Sequence, residues 1–228
     1  MLVFPEAGRV LPPLRAAGVD PDLAALERAH YRAMANQDQQ ARPPARETWW
    51  RDYLLSYVAA CGVTEDRCEP LAAAMSQQIR GHSWAHVGLG VSDGLRTVAA
   101  LGLPLGVISN SDGSVEGDLR RLGVCYVPDP EGGPRPAAGV KMGVILDSEV
   151  VGVAKPDPEI FRVALDALGV PAGGTVWHVG DSLRYDVAGA VAAGLQPVHM
   201  DPYGFCPAPD GHPHVSSLAG VAELARSG

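Results

Sequence analysis

Lysine is nearly absent from this 228-residue chain: among its 18 basic residues only Lys141 and Lys155 are lysines. With so much alanine, and with 27 glycines and 20 prolines, this skew toward arginine reflects genome composition. A lysine that persists therefore asks for a reason. Positive charge is scarce too. The 26 acidic residues leave a formal net charge of −8, and nothing on such a chain would neutralise the phosphates of a nucleic acid or an anionic membrane. No apolar run is long enough to span a bilayer, and Met1–Glu6 has neither a basic n-region nor a cleavable apolar core. The four cysteines (Cys61, Cys68, Cys125, Cys206) form no close metal-type pair and no disulfide framework, so a reducing cytoplasm is the expected location. Apolar residues, by contrast, make up 46% of the chain and charged ones 19%. That is the balance of a globular protein with a real core, long enough for one sizeable domain or a core domain with a lid.

The two halves are unlike. From about Leu11 to Arg96 the pattern is helical, with amphipathic stretches expected near 7–17, 22–37, 47–61 and 65–80. Asp20 and Thr64 read as helix N-caps, each followed closely by acidic residues that suit a helix N-terminus. Trp49, Trp50, Tyr53 and Tyr57 recur at helical spacing. Packing between helices is the expected role, with a substrate-facing aromatic lid as the alternative.

After Leu95, short β-branched runs alternate with helical ones. Strands are expected at Leu105–Ile108, Val144–Leu146, Val176–Val179 and Gln196–Met200, and helices at Ser114–Leu122, Pro158–Leu168 and Asp186–Ala193. Such alternation with short connections implies an α/β fold: a Rossmann-like, doubly wound parallel sheet whose ligand sits at the C-terminal ends of the strands. Between the first two strands, Cys125–Lys141 is rich in Pro and Gly and reads as an inserted surface loop. His212-Pro213-His214, in a Pro-rich tail, reads as loop and is given no role.

Polar residues follow three of these strands. Ser109-Asn110-Ser111-Asp112-Gly113 offers a hydroxyl, an amide and a run of backbone N–H groups entering a helix, which is either a phosphate cradle or an ordinary turn and cap. In Lys155-Pro156-Asp157-Pro158 the prolines fix an extended entry to a helix, with Pro158 in its first turn. They would hold Lys155 at the sheet edge, where a compact ammonium suits a phosphate with nearby carboxylates. Gly180-Asp181-Ser182-Leu183-Arg184-Tyr185-Asp186 places two carboxylates in one tight loop. Hard oxygen ligands of this kind suit magnesium, although Asp186 would also serve as a helix cap.

These three motifs, in this order, resemble the second, third and fourth motifs of the haloacid-dehalogenase-like hydrolases. The preceding helices resemble the α-helical cap that many members insert after their first strand. The resemblance implies residues 1–10 as a remnant, 11–95 as the cap and 96–228 as the core, with the insertion at 125–141. It implies that Ser109 binds the transferring phosphoryl group, that Asn110 shapes the loop and contributes to substrate binding, and that Lys155 neutralises phosphoryl group and nucleophile. Asp181 would hold Mg²⁺ directly, and Asp186 would support it.

The family's first motif is missing. It is an Asp-x-Asp pattern that ends the first, central strand: the first aspartate forms an aspartyl-phosphate and the second acts as general acid and base. Asp20-Pro21-Asp22 has the spacing, but no apolar strand precedes it, and Asp20 reads as a cap. Asp147 does follow a strand, yet that strand is the one leading to the lysine motif, so a structural role is expected. The sequence reads as starting late, through a misassigned start codon or a truncation. Without the first strand, ladder groups would be left unpaired at about 1–3 kcal/mol each, so the remaining strands should close up or another segment should fill the gap. The function expected is Mg²⁺-dependent hydrolysis of a small phosphate monoester, with no nucleic-acid or membrane partner. A 2-haloacid-type dehalogenase and an inactive phospholigand-binding homologue are the alternatives. Substrate identity and oligomeric state are not legible.

Overall fold

The computed structural model describes residues 2–40, 46–78, 84–129, 131, 138–208 and 210–227. Part of the Pro/Gly-rich insertion, namely 130 and 132–137, lies outside these residues, as does His82. Contacts divide the chain into two compact units, Val3–Leu89 with Tyr203–Pro209, and Met1–Leu2 with Gly90–Pro202 and Asp210–Gly228. The first unit therefore begins before the 11–95 expected from the sequence, leaves 90–95 to the second unit and takes in Tyr203–Pro209.

The helical unit contains β1 (Val3–Pro5), α1 (Ala7–Ala16), α2 (Leu23–Asp38), α3 (Arg46–Ala60), α4 (Glu65–Gln78) and β2 (Trp84–Val87). Antiparallel pairing of β1 with β2 ties the N-terminal residues to this unit. Asp22, rather than Asp20, caps α2: its side chain accepts from the Ala25 N–H at 2.8 Å, while Asp20 pairs with Arg15 at 2.7 Å. Both aspartates precede the same apolar run, and the cap falls on the residue adjacent to Leu23. The core joins Val10 and Leu14 to Leu26, Ala33, Leu54, Val58, Ala72 and Met75. Tyr53 and Tyr57 are buried within it, and Trp49, Trp50 and Trp84 pack against it. Trp49 stacks on Tyr53, ring centroids 5.4 Å apart. This is the interhelical packing expected of that stripe.

The second unit contains α5 (Val91–Ala99), β3 (Gly106–Ser109), α6 (Val115–Arg121), β4 (Cys125–Tyr126), β5 (Val140–Lys141), β6 (Val144–Asp147), α7 (Ser148–Val151), α8 (Pro158–Leu168), β7 (Trp177–Gly180), one π-helical turn (Leu183–Val187), α9 (Ala188–Ala192), β8 (Gln196–Met200), β9 (His214–Val215) and α10 (Leu218–Ser227). A Cβ on Gly94 would meet the Leu218 Cβ, so α5 lies close against α10 and residues 90–95 belong here. The fold is α/β with parallel strands, as expected.

The sheet is interrupted. β3 pairs in parallel with β6, β7 with β8 and β8 with β9, and among the described residues no ladder joins β3 to β7. The remaining strands have neither closed up nor been bridged by another described segment. What spans the interruption is packing. Ile160, Phe161, Ala164 and Leu165 of α8 form one apolar cluster with Leu146, Ala190 and Leu195, and Ile108 and Val176 pack against it. Ile160 and Phe161 are fully buried, at about 1.5–3 kcal/mol each. Gly189 permits the closest approach, since an added Cβ would lie 2.8 Å from the Phe161 ring. Among the described residues no helix is long and apolar enough to cross a membrane.

Candidate active site

The three expected motifs come together around one buried carboxylate. Gly180 ends β7, and Ser182 starts the turn that follows, its hydroxyl accepting from the Tyr185 N–H at 3.1 Å. That turn folds Asp186 back beneath the strand end. The Asp186 Oδ2 accepts from the Ser182 N–H at 3.1 Å, and Oδ1 pairs with Lys155 Nζ at 2.7 Å and His178 Nε2 at 2.8 Å. A Cβ on Gly180 would fall inside the Asp186 carboxylate, so glycine is required there by the side chain it faces. Burial alone would push the Asp186 carboxyl up. The Lys155 ammonium and the His178 ring nonetheless hold it well below the usual carboxylate range.

Lys155 is no solvated surface lysine, because its side chain is only 12% exposed. Its main chain is held as firmly as its ammonium. Asn110 accepts from the Lys155 N–H at 2.8 Å and donates to the Lys155 carbonyl at 2.9 Å. Both polar atoms of the Asn110 side chain thus face main chain, which fits loop shaping better than direct contact with a ligand. Pro158 starts α8 as expected, and the Asp157 side chain caps it by accepting from the Glu159 N–H at 2.9 Å.

The loop after β3 differs from the cradle envisaged. The Gly113 and Val115 N–H groups donate to the Asp147 carboxylate at 3.0 and 3.3 Å, and the Ser111 N–H to Ser148 Oγ at 3.2 Å. Three of the amides offered to a phosphate are therefore already paired. Asp147, buried, also caps α7 through the Glu149 N–H at 3.0 Å. This is the structural role expected of it, and it leaves Asp147 acting as a staple between β6 and α6. The Ser109 hydroxyl, at the end of β3, makes no hydrogen bond among the described residues.

Asp181 stands between Gly180 and Ser182, half-buried and close enough to Asp186 to oppose its ionisation. Its carboxylate supplies hard-oxygen chemistry and so fits a magnesium ion. Asp186, with both oxygens engaged, fits a supporting part. His178 was not singled out in the sequence. It lies inside an apolar strand stretch, and only its alternation with Val179 marks it as facing the other side. Its ring sits edge-on to Phe161 at 4.8 Å.

A profile of the haloacid dehalogenase-like hydrolases matches residues 28–194. The chain belongs to that family. The haloacid dehalogenase-like hydrolase domain-containing protein 3 of Danio rerio is 32% identical over 151 residues, covering 66% of this chain and 56% of the relative. The chain thus spans little more than half of that relative's length. A phospholysine phosphohistidine inorganic pyrophosphate phosphatase of Rattus norvegicus is 38% identical over 82 residues, 36% of this chain and 29% of that protein. In structure, the putative HAD-hydrolase YfnB of Bacillus subtilis, solved bound to magnesium, aligns over 96% of this chain and 91% of its own with a TM-score of 0.57. At 18% sequence identity this likeness is one of fold alone.

Proposed function

We propose that this member of the hydrolase family takes a small phosphorylated compound, holding the phosphoryl group with Ser109 and Lys155 beside a magnesium ion on Asp181, and that the family reaction it serves is hydrolysis of a phosphate monoester. The observation that carries the reading is the buried Lys155–Asp186–His178 cluster. It fixes an ammonium beside a carboxylate loop at the strand ends, with the unengaged Ser109 hydroxyl on the strand that Asn110 ties to Lys155. Magnesium, when bound, would supply charge neutralisation of the phosphoryl oxygens. The helical unit serves as the cap that chooses the substrate, and the protein works in the cytoplasm.

A second reading has its own observation. Asp20 pairs with Arg15 at the surface, Asp22 caps α2 and Asp147 staples α6 and α7, so neither Asp-led candidate supplies the attacking carboxylate. On this reading the site binds a phosphorylated ligand without cleaving it, since losing one member of a catalytic unit removes most of the rate while binding survives. Calorimetric titration with inorganic phosphate, with and without Mg²⁺, tests the shared part. Binding should be Mg²⁺-dependent and should weaken about tenfold or more in Lys155→Met. Phosphate binding that ignores both would refute the site. Turnover of p-nitrophenyl phosphate separates the two readings, and metal-independent halide release from 2-chloropropionate would favour dehalogenation over either.

A further inference from the structure

We infer that the three histidines His199, His212 and His214 form a binding site for a borderline-soft divalent cation of the zinc class, separate from the carboxylate loop. One ring nitrogen from each lies within 4.8 Å of one from each of the others. The ring centroids are 5.4 Å apart for His199 and His212, 5.2 Å for His199 and His214, and 4.5 Å for His212 and His214.

The backbone builds this convergence. His199 on β8 and His214 on β9 are register partners in the parallel ladder, so their Cα atoms are held as neighbours by main-chain bonds. The His199 N–H donates to the Pro213 carbonyl at 2.8 Å, and the Asp201 N–H to the Val215 carbonyl at 2.9 Å. Pro213, which has no N–H to satisfy, turns its carbonyl to β8, and the rings on either side of it, His212 and His214, come together. Of the segment read from sequence as Pro-rich loop, His214 is thus in a strand, held by its ladder with β8.

Polar satisfaction points to a ligand. His199 is 5% exposed, and its Nδ1 is buried without a hydrogen-bond partner, as is the Nε2 of His214. A buried ring nitrogen left without a partner is unfavourable, and one cation would satisfy both of these nitrogens. With bonds of about 2.0–2.1 Å, a tetrahedral zinc ion holds its ligand nitrogens about 3.3 Å apart, which small ring rotations within the observed limit would reach. His212 and His214 are only half-buried, which leaves a way in. Because His199 is also the register partner of Gly180, the ion would lie one strand over from the Asp181 loop. There it would pin the His-Pro-His segment to the sheet.

The test uses the full chain after chelator treatment, titrated with Zn²⁺ against a chromogenic chelator and with Co²⁺ by visible absorption. One tight equivalent should bind, Co²⁺ should give the intense visible band of a four- or five-coordinate nitrogen site, and Zn²⁺ should raise the melting temperature. His212→Gln and His214→Gln should each weaken binding about tenfold or more, while Asp181→Asn should leave this equivalent in place. Absence of a tight equivalent in the parent chain, or histidine variants that bind like it, would overturn the inference. So would loss of the equivalent in Asp181→Asn. If a variant does not fold, judged by circular dichroism, X-ray absorption of the Co²⁺-loaded parent decides: a first shell with fewer than two imidazoles refutes the site.

Discussion

Replacing Asp186 with Asn keeps the shape of the side chain and removes its charge, and the consequence can be worked from the contacts. The carboxylate accepts from Lys155 Nζ at 2.7 Å and Ser182 N–H at 3.1 Å and pairs with His178 Nε2 at 2.8 Å. Whichever way the amide lies, its NH₂ faces a donor. The Lys155 side chain, 12% exposed, is then left without its counter-charge. Breaking a buried pair by removing one partner costs about 3–5 kcal/mol, a large share of a total stability of roughly 5–15 kcal/mol. Urea unfolding followed by circular dichroism at neutral pH should show that loss in the midpoint. Asp186→Asn combined with Lys155→Met should be more stable than Asp186→Asn alone, because the stranded ammonium is gone. The sign of the pH dependence also follows. A carboxyl whose folded pKa lies below its unfolded value contributes stability that is whole above about pH 4 and lost as pH falls toward the folded value. The difference between parent and Asp186→Asn should accordingly be flat from about pH 5 to 8 and shrink below about pH 4. A loss under about 1 kcal/mol, the range of exposed pairs, would refute the buried-hub reasoning, as would a double variant less stable than the single one.

The remaining expectations concern neighbouring positions. Gly180→Ala should destabilise by about 1–3 kcal/mol, because the new Cβ would overlap Asp186, and it should weaken phosphate binding at the same time; a neutral substitution would show that the turn relaxes freely. Asp147→Ala removes the acceptor for the Gly113, Val115 and Glu149 N–H groups and should cost about 1–3 kcal/mol without abolishing phosphate binding. Recovery of a hydroxylamine-sensitive phosphoryl group on Asp147 would contradict its assignment as a staple. Burial pushes the Cys61 and Cys125 thiols up to about 12, so both should resist iodoacetamide at about pH 8 in the native state and react on unfolding.

Lys155 was legible in the sequence because the chain's arginine habit made it stand out and two prolines fixed its surroundings. Asp181 and Asp186 were legible from their spacing around Gly180. The helix over Pro158–Leu168 and the strand over Gln196–Met200 fall where the pattern put them, since local periodicity and caps determine both. Other features depend on partners distant in sequence. No local signal tells that Asn110 reaches the main chain of Lys155, or that Asp147 reaches across to the loop after β3 and takes its amides. His178 was hidden because one histidine in an apolar strand looks the same whether it faces a carboxylate or simply fills space. His214 was hidden because a strand of two residues has no periodicity, and only β8 makes it one.

The interrupted sheet and the intact hub together say which parts of such a site are independent. No described ladder joins β3 to β7, yet Lys155, Asn110, His178 and Asp186 hold one another across that interruption through side-chain and main-chain bonds. The proposed phosphoryl site would thus rest on the segment leading into α8, on the turn after β7 and on the loop after β3, and not on a strand between them. Asp186 takes only one of the three donors on the Lys155 ammonium, so the ion pair need not break for a phosphoryl group to bind. Asp186 then fixes where the positive charge stands before the ligand arrives, at no reorganisation cost when it does. The same bond makes the hub separable from the chemistry. On the proposed reading, the place for the phosphoryl group does not depend on whether a different strand supplies the attacking carboxylate or withholds it.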